Sequence, residues 1–466
     1  MERFRSENLS HDPIHGYIPF TSSVGIPDAE TSERQIIDHS WIQRLRQIHQ
    51  LQTAWWVFPS AEHTRFQHVL GAMHLASRAV HELYGSLQEV CPDVPSRGYV
   101  ESLMRMAALL HDVGHGPFGH FFDHHFLADF GLTHETLGAH IILHELGELL
   151  RRVRRNPNSR LADGETLDPE QIAQLIMRPK EGSRDDVPRW LRFLRSLFSG
   201  LYTVDNMDFV LRDAYMSGYS TRAFDLDRLL HYSMFTPRGL TVHERGLAAL
   251  VRFILVRAEL FRAVYFHRTV RAIDLSLADL FADSKHLLFP GNPLEHLDDY
   301  LHLTEWSLLV QVSGWHRSSD PGVRELGLRW QRFLRRDVRW KLAVERTVYF
   351  RPGEPEQTSI FSSERLFEAS VRSHLPPELR DLPLKFENPR HVHRPGAHTP
   401  AAGQNFVYDP AADQIRRLDE RELFRQIPLS YRICRIYAED DGHNTELAAV
   451  MDRLIGADVA DDLTNM

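Results

Sequence analysis

Eight of the chain's 28 histidines fall between His111 and His144, interleaved with leucine, phenylalanine, glycine and proline rather than with solvated polar residues. The adjacent pair His111-Asp112 follows the apolar run Ala107-Ala-Leu-Leu110, which reads as a buried helix delivering two ligand-type side chains at its C-terminal end. A buried aspartate needs compensation, and a metal cation supplies it. Imidazole and carboxylate together make a good shell for a divalent transition metal. His68 opens one helical pattern and Asp205 lies near the start of another, so His68, His111, Asp112 and Asp205 form a candidate four-ligand set drawn from three helices. Such a set leaves coordination positions open for water and a phosphate oxygen.

The surrounding pattern is helical. Ile36, Ile37, Trp41, Leu45, Ile48 and Leu51 recur at three-to-four spacing, predicting an amphipathic helix. Further helices are predicted at 68–84, 101–112, 133–153, 169–176, 188–198, 203–216 and 247–282, with a polar loop at 156–168. Residues 1–33 carry turn formers and read as an arm or short hairpin, residues 34–290 as the helical core, and 291–466 as a helical extension with a small α+β subdomain. In that last segment helical pattern continues through 301–336, Thr347–Phe350 and Tyr431–Tyr437 are strand-like, and a helix begins near Asn444. The stretch 374–412, rich in proline, histidine, glycine and asparagine, is expected to be irregular. The fold class is therefore mainly α.

Composition narrows the function. A net charge of −9 argues against wholesale phosphate-backbone binding. Two distant cysteines, Cys91 and Cys434, exclude a disulfide framework and a cysteine-based zinc finger and fit a reducing, cytoplasmic compartment. The most apolar run, 246–260, is interrupted by Arg252 and Arg257, so no membrane segment is expected. Two basic runs, 151–155 and 329–341, could touch nucleic acid, but a solvated helix face is the favoured reading of both. The Gly114-His-Gly-Pro-Phe-Gly119 run formally matches a dinucleotide fingerprint. A helical pattern precedes it rather than a strand, and Pro117 does not suit that turn.

Several short motifs, in order, resemble the HD-domain deoxynucleoside triphosphate triphosphohydrolases: Asp12-Pro-Ile-His-Gly16, Gln43-Arg-Leu-Arg46, Val57-Phe-Pro59, Arg65-Phe-Gln-His68, His111-Asp-Val-Gly-His-Gly-Pro-Phe-Gly-His120, Thr133-His-Glu135, Val204-Asp205 and Arg212-Asp213. The likeness covers roughly residues 10–290, with a fainter echo near 429–455, and no SAM domain is expected ahead of it. It implies an HD-domain helical core with a smaller C-terminal α+β subdomain. It implies one divalent ion (Fe, Mn, Zn, Ni or Mg) on His68, His111, Asp112 and Asp205, and catalytic roles for His115, His120, Asp123 and His134. It also implies dNTP contacts from Gln50, Leu51, Arg65, Asp213, Arg257 and Tyr265, and a GTP or dGTP activator site involving Asp38, Gln43 and Arg46 in a dimer or tetramer of identical chains. Two positions depart from the family pattern: Phe261 stands where the mammalian enzyme has an imidazole, and Asn8 where a lysine is expected. His124, His125, His140 and His144 match nothing in it. The competing readings are another HD phosphohydrolase, acting on a phosphodiester or an alarmone, and a nucleotide-responsive, nucleic-acid-binding assembly protein with a vestigial metal site.

Overall fold

The computed structural model describes residues 6–177, 187–350, 359–392, 405–420 and 430–455, and the protein is mainly helical. Its chain divides into two compact units. The first holds Met1–Leu260, Lys285–Gln311 and Ala397–Phe424, and the second Phe261–Ser284, Val312–Gly396 and Arg425–Met466.

The first unit opens with a hairpin of β1 (Glu7–Asp12) and β2 (Gly16–Thr21), paired from Glu7↔Thr21 to Asp12↔Gly16. Its central helix, Arg65–Val90, starts at a capping box in which the Gln67 side chain accepts from the Thr64 backbone N–H at 2.6 Å. The Arg97–Leu110 helix packs beside it, capped by the Ser96 hydroxyl on the Tyr99 N–H. Val204–Met216 completes the central group and starts at a reciprocal Thr203–Asn206 box, with bonds of 2.6 and 3.0 Å. These caps satisfy the amides that a helix start leaves without partners. A small sheet in the same unit runs β3 (Ser233–Thr236), β4 (Gly239–His243), β8 (Phe406–Asp409), β9 (Gln414–Arg417), with β4 and β8 parallel.

In the second unit β10 (Ser430–Ala438) is the spine. It pairs antiparallel with β5 (Lys341–Phe350) on one side and with β6 (Leu384–Glu387) and β7 (Arg390–Val392) on the other. Glu364–His374 and Asn444–Ile455 bury Phe367, Val371, Leu447 and Met451 with Cys434 and Ile436 of the sheet.

Several predicted helices are interrupted. The single amphipathic helix expected at 36–51 is three short pieces, Glu33–Ile37, Ser40–Gln43 and the 3₁₀ turn Arg44–Gln47. The His39 side chain recaps the chain by accepting from the Trp41 N–H. The apolar spacing was right because Ile36, Trp41, Leu45 and Ile48 all face the core. The helix expected at 133–153 divides into His134–His144 and Gly147–Arg151. The one expected at 247–282 ends at Leu260, passes through a π turn at Phe261–Tyr265 and resumes at Arg268–Leu288. The stretch expected to be irregular contains β6, β7 and β8; strand pairing with the apolar β10 overrides weak local propensity for the first two. Its residues 393–404 lie outside the described residues.

Candidate metal centre

His68 lies in the first turn of Arg65–Val90, His111 caps the C-terminus of Arg97–Leu110 with Asp112 next to it, and Asp205 lies in the first turn of Val204–Met216. Their ligand atoms converge. His68 Nε2 is 3.3 Å from His111 Nε2 and 3.1 Å from Asp205 Oδ1. His111 Nε2 is 3.3 Å from Asp112 Oδ1 and 3.6 Å from Asp205 Oδ1. Ligands about 2.0–2.2 Å from a shared ion lie about 3.0–3.5 Å apart, so these separations fit one first-row metal.

The tautomers support the same reading. His68 Nδ1 donates to Asp208 Oδ2 at 2.8 Å, and His111 Nδ1 donates to the Ala108 carbonyl at 2.8 Å. With Nδ1–H committed, the neutral rings turn two Nε2 lone pairs toward each other and toward two carboxylates. His68, His111 and Asp112 each bring one acceptor to within 4.8 Å of one another, and Asp205 Oδ1 reaches both imidazoles. Acceptors gathered in this way need a cation. Without one, a proton takes its place. Burial lowers the His68 pKa, but hydrogen bonds and charge from Asp205 and Asp208 outweigh it and hold it up at about 10. The donor chemistry fits a divalent ion.

Beside this set lies a second group. His115, His120, Asp123 and His134 bring one donor atom each to within 4.8 Å of one another. Asp123 Oδ2 accepts from His134 Nδ1 at 2.6 Å and His120 Nδ1 at 3.1 Å. The His115 and His134 rings stack at 3.8 Å and 16°. Stacked rings cannot both aim in-plane lone pairs at one ion, so this group handles protons or anions better than a second metal. Burial pulls His134 down to about 3, helped by His115 and opposed by Asp123. Burial also lowers His120 against the pull of Asp123. His115 joins the two groups, with Nε2 3.4 Å from Asp112 Oδ1 and Nδ1 3.6 Å from Asp123 Oδ1. Neither His115 nitrogen, nor Asp123 Oδ1, nor Arg65 Nε makes a hydrogen bond, although all are buried. Buried orphans of this kind mark where a ligand belongs.

Arg65 NH1 donates to Asp112 Oδ2 at 2.7 Å, which aims its guanidinium at the boundary between the groups. Gly119 makes this approach possible: it sits at φ +56°, and a Cβ there would lie 2.2 Å from Arg65 NH2. The turn carrying His115 is held from below. Arg44 NH1 donates to the His115 carbonyl at 2.7 Å, its NH2 donates to the Leu303 carbonyl, and Tyr300 OH donates to the Gly114 carbonyl at 2.8 Å.

The other predicted residues divide. Arg257 donates to the Leu201 carbonyl at 3.1 Å; burial lowers it to about 10 while Asp205 pulls upward. Asp213 is buried and accepts from His63 Nε2 at 2.7 Å. Leu51 is buried, and Gln50 keeps a buried Oε1 without a hydrogen bond. Tyr265 belongs to the second unit, in the π turn. Asp38 pairs with Arg34 at 3.1 Å; Gln43 donates to the Ile37 carbonyl and accepts from Arg46, whose guanidinium lies 3.6 Å from the Phe66 ring centre. His140 and His144 lie ring to ring at 4.3 Å, away from both groups along their helix. The sequence reading missed Asp208, His15, His63 and Arg44. Asp208 left a positional signal, three residues after Asp205 on the same side of a helix, and His15 and Arg44 stood inside the Asp12–Gly16 and Gln43–Arg46 motifs without a role assigned to them.

Comparison with known proteins follows the same lines. The family model described as HD domain matches residues 65–178, which contain His68, His111, Asp112 and the second group. The chain is 28% identical over 407 residues to the uncharacterized protein YwfO of Bacillus subtilis, covering 83% of each. It is 30% identical over 348 residues to the deoxynucleoside triphosphate triphosphohydrolase SAMHD1 of Bos taurus, covering 68% of this chain and 55% of that protein. The chain carries an HD domain and is similar, at 28–30% identity, to these SAMHD1 proteins. It spans about half the length of the SAMHD1 proteins it matches, 45% for the Homo sapiens one at 28% identity. A hypothetical protein from Aquifex aeolicus shares the fold, with a TM-score of 0.67 at 24% identity, over 96% of this chain and 100% of that one. An HD domain marks a metal-dependent phosphohydrolase, and the His/Asp set supplies a place for the metal. Among the described residues, no helix is long and apolar enough to cross a membrane.

Proposed function

We propose that the protein hydrolyses deoxynucleoside triphosphates to a deoxynucleoside and inorganic triphosphate. The observation that carries this reading is the pairing of a four-acceptor metal set with an adjacent, buried imidazole group, joined through His115 and flanked by Arg65. His68, His111, Asp112 and Asp205 would hold a divalent ion, which when bound would supply Lewis-acid polarisation of a phosphate and an activated water.

The chain's own groups do the rest. Phosphoryl transfer is mostly positioning and charge stabilisation. Arg65 neutralises phosphate oxygens through a rigid guanidinium fork, and Arg257 does the same from the far side. Asp123 orients His120 and His134 through their Nδ1–H groups, leaving both Nε2 atoms directed away from the carboxylate. Burial lowers His134 to about 3, and desolvation lowers His120 as well although its side chain is largely open to solvent, so both rings are neutral near pH 7. A polyanion beside them favours their charged forms, so substrate arrival itself charges the proton donor. His120, the most exposed of the three at 60%, protonates the departing 5′-oxygen. Gln50 and Leu51 contact sugar and base, with Asp213 completing the substrate shell. GTP or dGTP activation through Asp38, Gln43 and Arg46, in an assembly of identical chains, belongs to the same proposal.

The test is incubation of purified protein with each dNTP, with and without GTP or dGTP, and identification of the phosphate released. Triphosphate supports the reading. Pyrophosphate or monophosphate release, or turnover of a phosphodiester or alarmone in its place, transfers the protein to another branch of HD hydrolases. Asp112→Ala is expected to abolish turnover, and full activity in a metal-stripped Asp112→Ala variant ends the proposal.

A further inference from the structure

Asp208 is fully buried behind His68 and accepts four hydrogen bonds. Its Oδ2 takes His68 Nδ1 at 2.8 Å and Arg212 Nε at 2.9 Å; its Oδ1 takes His15 Nε2 at 2.7 Å and Arg212 NH2 at 3.0 Å. His15 comes from the turn of the β1–β2 hairpin, 193 residues away in sequence. That turn is itself organised by Asp12, whose Oδ1 accepts from the backbone N–H groups of Ile14 and His15, both at 2.9 Å. Asp12 Oδ2 then accepts from Arg212 NH1 at 2.7 Å. The hairpin turn is thus tied twice to the Val204–Met216 helix, and one tie ends on the carboxylate that orients a metal-ligand candidate. The central helix leaves room for this cluster at Gly71, where a Cβ would fall 2.0 Å from Asp208 Oδ1.

A ligating imidazole is fixed in tautomer and plane by what its other nitrogen donates to. A carboxylate can do this only if its own rotation is stopped. Here Oδ1 is held by His15 from one side and Arg212 from the other. Removing His15 takes away the shorter bond to Oδ1 and leaves Arg212 as that oxygen's one remaining partner, so the carboxylate plane shifts toward Arg212 and the acceptor offered to His68 shifts with it.

We propose that the β1–β2 hairpin is part of the metal centre: His15 acts through Asp208 as a positioning residue for His68, so the seating of the hairpin sets metal affinity. This rests on the metal-centre reading above. Any ligand or partner that lifts the hairpin is then felt at the ion.

Metal-stripped full-length protein is titrated with Co2+, followed by d–d absorption, beside thermal melts of the metal-free forms. A Gln amide at position 15 reaches the place of Nε2, whereas an Asn amide stops short. His15→Asn is expected to bind Co2+ about 10–100-fold more weakly, and His15→Gln within about threefold of wild type, the range seen when outer partners of a ligand are lost or kept. Wild-type affinity in His15→Asn, or equal weakening in both variants, overturns the proposal. Should His15→Asn fail to fold, Asp12→Asn gives the second arm, since it loosens the hairpin's other tie, to Arg212, and leaves the atoms of the His15–Asp208 bond in place. Weakened Co2+ binding there supports the proposal, and unchanged binding overturns it. If wild-type protein takes up no Co2+, the metal centre itself falls; uptake equal in all forms removes only the role of the hairpin.

Discussion

Gly71→Ala tests how tightly the cluster behind His68 is packed. The new methyl would lie 2.0 Å from Asp208 Oδ1, 2.3 Å from Arg212 NH2 and 2.7 Å from Asp208 Cγ. Ordinary contact begins at 3.4 Å, so the carboxylate or the helix must yield by about 1.4 Å. A 2.8 Å hydrogen bond stretched that far no longer exists. Losing one charge-assisted bond costs about 1.5–3 kcal/mol. Overpacking adds about 1–3 kcal/mol. Against this, alanine is better than glycine inside a helix by about 1 kcal/mol. The net expectation is a loss of about 1.5–5 kcal/mol, or roughly 3–20 °C in Tm at about 2–4 °C per kcal/mol. Gly85 on the same helix is the control, because a Cβ there meets nothing within 4 Å. Gly85→Ala is expected to be neutral or to stabilise by up to about 1 kcal/mol. Differential scanning calorimetry of both variants decides. A Gly71→Ala protein that melts with wild type and takes up metal equally refutes the packing described here.

Arg105 is fully buried and grips Glu33 through Nε at 2.5 Å and NH2 at 2.8 Å. Arg105→Met strands that carboxylate and is expected to cost about 3–5 kcal/mol, with Arg105→Met/Glu33→Gln recovering much of it in denaturant melts. His49 donates to Glu305 through Nδ1 at 2.9 Å and to Glu62 through Nε2 at 3.1 Å. Burial lowers its pKa, but Glu305 and then Glu62 outweigh this and raise it above 6.5. Its contribution is therefore full below about pH 6.5 and lost as pH rises through the folded value. The stability difference between wild type and His49→Gln should shrink from pH 6 to 8, and a difference that grows refutes the cationic assignment. Chelation should lower Tm, and restoring Mn2+ or Co2+ at 100-fold over Kd should return about 2.7 kcal/mol. A melt insensitive to chelator argues that the four acceptors hold no ion.

The metal set was legible because its chemistry is local. His111 and Asp112 are neighbours closing an apolar run, and His68 and Asp205 each open a helix whose caps are visible as Thr64–Gln67 and Thr203–Asn206. Around Asp208, only Arg212, four residues along the same helix, was local. Its partners His15 and His68 lie 193 and 140 residues away, and an isolated histidine near a proline reads as a turn residue. The same holds for Arg44, which looked like one cation of a basic motif and instead donates to the His115 carbonyl from inside the core. Helix lengths misled for another reason. Spacing of apolar residues reports which face is inward, and Ile36 to Ile48 keep one inward face through two chain breaks.

The underpinning of the His115 turn reaches well past the span that the HD motif occupies. Tyr300, Leu303 and Glu305 supply the bonds to Gly114, Arg44 and His49. A fragment cut after residue 290 would retain every proposed metal ligand while stripping Arg44 of the Leu303 carbonyl, His49 of Glu305 and the Gly114 carbonyl of its tyrosine donor. Boundaries chosen from motif conservation alone would therefore yield a chain that looks complete on paper and lacks the struts of its own reaction chamber.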